Sequence, residues 1–418
     1  MRPASALQSD PAAWAADEWQ EGGEADPLRR QLGRIAGWLG SFAVAAAGSI
    51  APMLNASYVD AFNAAHLSVV LVILLGFSLL RYPRIPVGRE LILYVCLLVY
   101  MAISAMWTPG IDIAGNTLVP AVNFLLILML FGSLAMFHDL GAVFAGMVFG
   151  FWCGAGSYTV ITRFPFARPD DFSYNAIAGM YLFGLFSILL WGWHTRRRLT
   201  SLMMAAIAMI LIAATTSIKT NLGVLLGAVA AALIYFTAFM RILGRSAIAL
   251  MVICVAVGFA IASNDALLEQ LQDGLDRVTT GAQILGARED NAQGTSFNER
   301  RYWQKVGLEG WAQNPVFGSG VEAFRKDIGI TSHSTPIDLL YNHGLIGFVL
   351  FYALFGSLVW SLYATRRVQL GTLPILIFSG VVCYGFMSLS EPLHYSDFFA
   401  IFVAVTSTLL RRESSCAT

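Results

Sequence analysis

The sequence predicts an all-α integral membrane protein of about twelve transmembrane helices with one large loop on the outer face. Three observations carry this expectation. Of 418 residues, 57% are hydrophobic and only 12% charged, against the roughly 25% charged residues of a soluble domain. The mean hydropathy is +0.66. The apolar residues also fall in stretches of membrane-spanning length, separated by short polar breaks. Too little charge remains to cover a water-facing surface, which excludes a soluble enzyme and a nucleic-acid binder. Lys+Arg and Asp+Glu both total 26, so charge arguments have to be local.

Residues 1–30 are polar, acidic and proline-containing (Asp17, Glu18, Glu21, Glu24, Asp26, Pro3, Pro11, Pro27). No apolar core follows a basic start, so this is read as a disordered cytoplasmic tail and not a signal peptide. The expected spans are 33–53, 61–80, 90–107, 117–137, 140–161, 174–193, 200–217, 221–240, 246–263, 336–364, 372–389 and 394–410, each near the 20 residues a crossing helix needs. Transmembrane helices 1–9 thus occupy 31–263 and helices 10–12 occupy 336–412. The faintest breaks are His138-Asp139 and Thr215–Thr220.

Orientation follows from the arginines. With the N-terminus in the cytoplasm, the inner segments hold Arg29, Arg30 and Arg34; Arg81, Arg84 and Arg89; Arg196–Arg198; Arg241 and Arg245; Arg366 and Arg367; and Arg411 and Arg412. Both termini are then cytoplasmic. The remaining inner segment, His138-Asp139, has none. The segment 264–335 becomes an external loop of about 70 residues, far beyond an ordinary connection. Within it Gln283–Thr295 reads as mobile, and Ser296–Asn314 reads as a helix stopped at Asn314-Pro315.

Candidate functional residues gather on the outer side. Arg301 and Lys305 stand four apart on the loop helix, where like charges repel unless an anion lies between them. Arg300 is adjacent. The alternative is a solvated face with Lys305 paired to Glu309. Trp303 and Trp311 suit a helix at the membrane surface. His333 stands just before Pro336 at the mouth of a span, where an imidazole can serve as a base near neutral pH; a capping histidine is the alternative. Asp338, five residues on, is an ionisable group inside an apolar run. His343 reads as a packed histidine. Lys219 lies between two spans and suits an anionic headgroup, or it snorkels. Arg163 and Arg168 add charge on that side, or pair with Asp170 and Asp171. Glu391 and His394 occupy the last outer turn without an assigned role. Cys96, Cys153, Cys254, Cys383 and Cys416 suggest neither a disulfide framework nor a metal cluster. No phosphate-cradling glycine loop, His-Glu-x-x-His or Cys-x-x-Cys is present, so no nucleotide is expected as an energy source.

The run from Glu299 to Phe324 resembles the signature of the O-antigen ligase and polymerase family: a basic residue, a nearby Trp, a short helix, then Asn-Pro-x-x-Gly-x-Gly at Asn314–Gly320. His333 and Gly344 have the family's spacing of eleven, with Gly347 following, and Ser217–Thr220 resembles its Ser-Arg or Ser-Lys segment. The resemblance covers nearly the whole chain, with the loop its motif-specific part. Two departures stand out. Ser334 replaces the usual Asn after the histidine, and Lys219, preceded by Ile218, stands where ligases often have Arg. The His-Ser form resembles polymerases of capsular or exopolysaccharide repeat units.

What the resemblance implies is an inverting, metal-independent glycosyltransferase of GT-C type in the bacterial inner membrane, with no cofactor. Its substrates are oligosaccharides carried on undecaprenyl diphosphate in the membrane lipid. A chain-length regulator and a flippase are the implied partners. His333 would take the acceptor proton, while Lys219 and the loop arginines would meet the diphosphate. The alternatives are a ligase delivering glycan to lipid A-core or protein and, from another class, a lipid-linked oligosaccharide flippase.

Overall fold

The computed structural model describes residues 27–56, 63–108, 111–162, 164, 174–215, 217–234, 296–365 and 372–415. They form helices α1 (Pro27–Ala56), α2 (Ala64–Arg81), α3 (Arg89–Ser104), α4 (Ile111–Phe137), α5 (Leu140–Thr162), α6 (Tyr174–Thr195), α7 (Arg198–Ala214), α8 (Ile218–Ile234), α9 (Ser296–Trp311), α10 (Ala323–Ile328), α11 (Thr335–Thr365), α12 (Thr372–Ser388) and α13 (Asp397–Ser415). Short 3₁₀ turns span Ala105–Trp107 and Leu393–Tyr395. The described residues contain no strand. Seven of these helices are long and apolar enough to cross a membrane, and α7, α8 and α12 are shorter apolar helices. The protein is therefore an all-α, multi-pass membrane protein.

Each expected span inside the described residues is matched by one helix; the ninth, 246–263, lies outside them. Helix α1 begins at Pro27, four residues inside the expected tail. Proline suits a first helical position, since its missing N–H would be unbonded there anyway. The loop helix stops at Trp311, three residues short of the expected Asn314. The faint break at His138-Asp139 is real: the Asp139 carboxylate caps α5 by accepting from Ala142 N–H at 2.7 Å. The His138 ring lies 2.9 Å from Ser41 Oγ of α1 and 3.0 Å from Ser78 Oγ of α2. Burial, helped by Arg81, lowers its pKa to about 4, so it pins three helices as a neutral group.

Small residues bring the helices together. On α5, Gly146, Gly150 and Gly154 recur every four residues and face α1. A Cβ at Gly150 would lie 2.7 Å from the Ala46 carbonyl oxygen, so the backbones meet at a distance only glycine allows. At the centre stands α13, buried on every side from Phe398 to Leu410, as a helix apolar all round must be. Its Phe399 ring meets Phe124 of α4, Phe355 of α11 and Tyr384 of α12 at centroid distances of 6.1, 4.9 and 5.3 Å.

Helix α11, expected as one uninterrupted span, is broken at Gly344 (φ 60°, ψ −163°). Two helical hydrogen bonds are lost there, those from Leu345 and Ile346 N–H to the carbonyls of Tyr341 and Asn342. The segment Asn314–Gly320 supplies all four substitutes. Leu345 and Ile346 donate to the carbonyls of Pro315 (2.9 Å) and Val316 (3.3 Å), and the Tyr341 and Asn342 carbonyls accept from Ser319 and Gly320, both at 2.8 Å. Gly318 and Gly320 adopt the left-handed φ values of 72° and 100° that this course requires. The Asn-Pro-x-x-Gly-x-Gly motif thus fills a break in a membrane helix.

Gly344→Ala should be strongly destabilising. Its backbone lies in a region reserved to glycine, and a Cβ would sit 2.6 Å from Gly318 N. A cost of at least about 2 kcal/mol is expected. Thermal unfolding of the detergent-solubilised protein measures it, and an unchanged midpoint would refute this account of the motif.

Candidate functional site

The alternating course of the helices collects the start of α8, the turn 389–396, the loop 329–334, the start of α11 and the segment 314–322 at one end of the bundle. The opposite end carries His138, Arg81, Arg411 and Arg412. There Arg412 of α13 donates to the Ala135 carbonyl of α4 at 3.3 Å.

Lys219 was expected in a turn between two spans. It lies in the first turn of α8, because the helix starts at Ile218. Its side chain is buried, forms an ion pair with Glu391, and donates to the Ser390 carbonyl at 2.6 Å. Glu391, unassigned from sequence, is therefore the carboxylate that compensates the buried ammonium. The same turn is latched to α11: Thr335 Oγ1 donates to the Glu391 carbonyl and accepts from Leu393 N–H at 2.8 Å.

His333 is half-buried beside this pair. Its backbone is left-handed, φ 51°, a conformation a non-glycine residue adopts at a cost. Its ring lies 5.7 Å from the Trp303 ring of α9, so Trp303 contributes to the site as well as to the helix surface. Burial lowers the His333 pKa; the Glu391 and Asp338 charges oppose that shift, while Arg300 and Lys219 reinforce it. The imidazole is thus held neutral near pH 7, the state a proton acceptor needs.

Asp338, whose charge acts on His333, belongs to a second buried polar group. Asp338 Oδ2 is 3.0 Å from His394 Nε2, and Asp338 Oδ1 accepts from Ser332 Oγ at 3.2 Å. Glu322, with φ 62°, accepts a hydrogen bond from Thr117 of α4. Burial raises the Glu322 pKa, and the Thr117 hydroxyl opposes the rise. His343 is fully buried, 3.3 Å from Ser104 Oγ, the packed histidine the sequence suggested.

The remaining candidates divide. Arg300 is close enough for its charge to act on both Lys219 and His333. Lys305 is not brought to the cluster: its side chain is 76% exposed, 4.0 Å from Glu309. The Arg301 side chain, Arg163 and Arg168 lie outside the described residues, as does Gln283–Thr295. Glu322 and Thr117 were missed from sequence. A glutamate in a polar loop and a threonine in an apolar run carry no local signal, and only the fold joins them. Among the described residues no group of three His, Cys, Asp or Glu side chains could hold a metal ion.

Residues 204–352 match the family model described as O-antigen ligase. This stretch, about a third of the chain, is similar to the O-antigen ligase family. The match runs from α7 through the broken helix α11 and so includes Lys219, Arg300, the Asn314–Gly320 plug and His333. No curated protein matches the chain.

Removing one partner of the Lys219–Glu391 pair should cost more than removing both. A buried ammonium without its counter-charge is expensive, although Glu391 is 20% exposed, so water screens part of the loss. Glu391→Ala should destabilise by about 1–3 kcal/mol, and Lys219→Met with Glu391→Leu should recover most of that. Equal unfolding midpoints for single and double variants would show that the pair is not coupled.

Proposed function

We propose that this protein is a membrane glycosyltransferase that polymerises undecaprenyl-diphosphate-linked oligosaccharide repeat units into exopolysaccharide, capsule or O-antigen at the periplasmic face of the inner membrane. The observation that carries the reading is a neutral, half-buried His333 set among fixed cations, inside the stretch similar to the O-antigen ligase family. The positive-inside distribution of arginines supports a periplasmic location for the site. The placement of the site at one end of the bundle favours an enzyme over a flippase, because transporters bind near the midplane.

The chemistry follows from the residues. An acceptor sugar hydroxyl attacks the anomeric carbon of the donor as the bond to the diphosphate breaks. The proton passes to His333, and the electron pair leaves with the diphosphate. Attack opposite the leaving group inverts the anomeric centre. Lys219 and Arg300 offset the developing negative charge in a site of low dielectric, usually the largest catalytic contribution. Arg301, Arg163 and Arg168 are further candidate cations for the lipid diphosphate. Lys219 reaches the diphosphate by exchanging Glu391 for it. Arginine engages phosphate through two donors and lysine through a point charge. The leaving group is already activated, so the reaction requires neither nucleotide nor metal. Holding both substrates in one membrane plane supplies proximity.

A ligase is the second reading, favoured by the description of the matched family. It shares the donor and the base and differs only in the acceptor, lipid A-core or protein. The glycan profile of a deletion strain separates the two. Single lipid-linked repeat units indicate a lost polymerase; long lipid-linked polymer that never reaches its acceptor indicates a lost ligase and overturns the polymerase assignment.

His333→Ala should lower the rate by about 10²–10⁴-fold while the protein still accumulates in the membrane. A base works when neutral, so the wild-type rate should fall only as pH drops through the His333 pKa. Burial moves that limb below the ordinary histidine value of about 6.5. A pH–rate profile of the purified protein reads both effects, and wild-type turnover in the alanine variant would remove His333 from the mechanism.

A further inference from the structure

The contact between Asp338 and His394 has no role in the transfer just described, yet on the Asp338 side it leads through Ser332 to His333. Ser332 and Ser334 flank His333, and both are tied to Asp338. The Ser332 hydroxyl shares its proton between the Ser334 carbonyl at 3.0 Å and Asp338 Oδ1 at 3.2 Å, and Asp338 N–H makes the first-turn helical bond to the Ser334 carbonyl at 2.9 Å. Ser334 N–H closes the loop on Ser332 Oγ at 3.3 Å. The clasp therefore grips the backbone on each side of a residue with φ 51°, a conformation that persists only where surroundings enforce it. Asp338 is also contacted at its other carboxylate oxygen. His394, fully buried, places Nε2 3.0 Å from Asp338 Oδ2, and its carbonyl accepts from Tyr94 of α3 at 3.0 Å.

We infer that Asp338, braced by His394, is a positioning residue that holds His333 in its left-handed conformation against the Lys219–Glu391 pair. The inference rests on the reading of His333 as the base. An ionisable side chain within an apolar helix is costly and marks a functional site; the clasp gives Asp338 that function. Its charge adds a second effect. The charged groups around His333 are Glu391 from the turn after α12, Lys219 from α8, Arg300 from α9 and Asp338 from α11, with Trp303 of α9 against its ring. Asp338 is one of the two anions that support protonation of the imidazole, so it also tunes the strength of the base.

Two variants separate tether from charge. Asp338→Asn keeps an acceptor oxygen for Ser332 and removes the charge. His333 should then bind protons more weakly. The acid limb of the pH–rate profile should move to lower pH, and the plateau kcat should fall by about tenfold as the base weakens, with KM little changed. Ser332→Ala keeps the charge and cuts the clasp. It should lower kcat by up to about 10²-fold, the loss that misplacement of a reacting group brings, without moving the acid limb. The assay uses purified full-length protein and a synthetic undecaprenyl-diphosphate oligosaccharide, with His333→Ala alongside. If His333→Ala is inactive while both variants keep wild-type kcat and acid limb, the positioning role is refuted and the base stands. If His333→Ala is fully active, the base itself is refuted. Should Asp338→Asn fail to accumulate, His394→Gln, which removes the brace and leaves the carboxylate, should lower kcat about tenfold; wild-type turnover in it and in Ser332→Ala would refute the inference.

Discussion

A backbone N–H or C=O without a partner inside an apolar bundle costs several kcal/mol, and this constraint governs the end of the protein that holds the candidate site. Helix α11 abandons its own hydrogen bonds at Gly344 and takes four replacements from Asn314–Gly320. The exchange fixes the register between a polar loop and a membrane helix. Everything else at that end is hung from it. The chain before the plug carries α9, with Arg300 and Trp303. The chain after it carries Glu322 and α10, where Phe324 N–H donates to the Asn342 side chain just before the break at 2.8 Å. A loop that would otherwise sample many positions is held against the bundle by backbone bonds, which depend on geometry and hardly on side-chain identity.

Charge does the remaining positioning. Lys219 belongs to α8, Glu391 to the turn between α12 and α13, and Asp338 to α11, far apart in sequence. Each is too costly to bury alone, and each finds its partner on another element. A buried ion pair such as Lys219–Glu391 contributes modestly to net stability but penalises every arrangement that separates it. The site is therefore specified more sharply than it is stabilised. Stability comes from elsewhere: the close α1–α5 contact through glycine, the aromatic packing about Phe399, and the neutral His138 pin at the opposite end. The protein thus separates an end pinned by His138 and edged by Arg81, Arg411 and Arg412 from one where charged groups of both signs surround His333.

Much of this was legible residue by residue. The apolar runs gave the helices nearly to their ends, because a crossing length is set by the bilayer and not by the fold. Even the faint His138-Asp139 break was visible, since two polar residues between apolar spans have few other uses. His333, Lys219 and Arg300 could be picked out because polar and basic groups are scarce between the apolar runs. Lys305 could be picked out in the same way, yet its side chain is exposed beside Glu309. Spacing along a helix states which residues share a face, not which way the helix is turned.

What the sequence by itself determined is the class of the protein: a multi-pass α-helical bundle, the order of its spans, and a loop motif with a histidine eleven residues before a glycine. Those follow from hydropathy and local spacing, which are properties of the chain. The tertiary structure alone decided that Gly344 breaks its helix and that Asn314–Gly320 repairs it. It alone decided that Glu391 answers Lys219, that His394 braces Asp338, and that Thr117 reaches Glu322. Each of these joins residues distant in sequence, and a buried charge or an unpaired carbonyl can state that a partner must exist without stating where along the chain it lies.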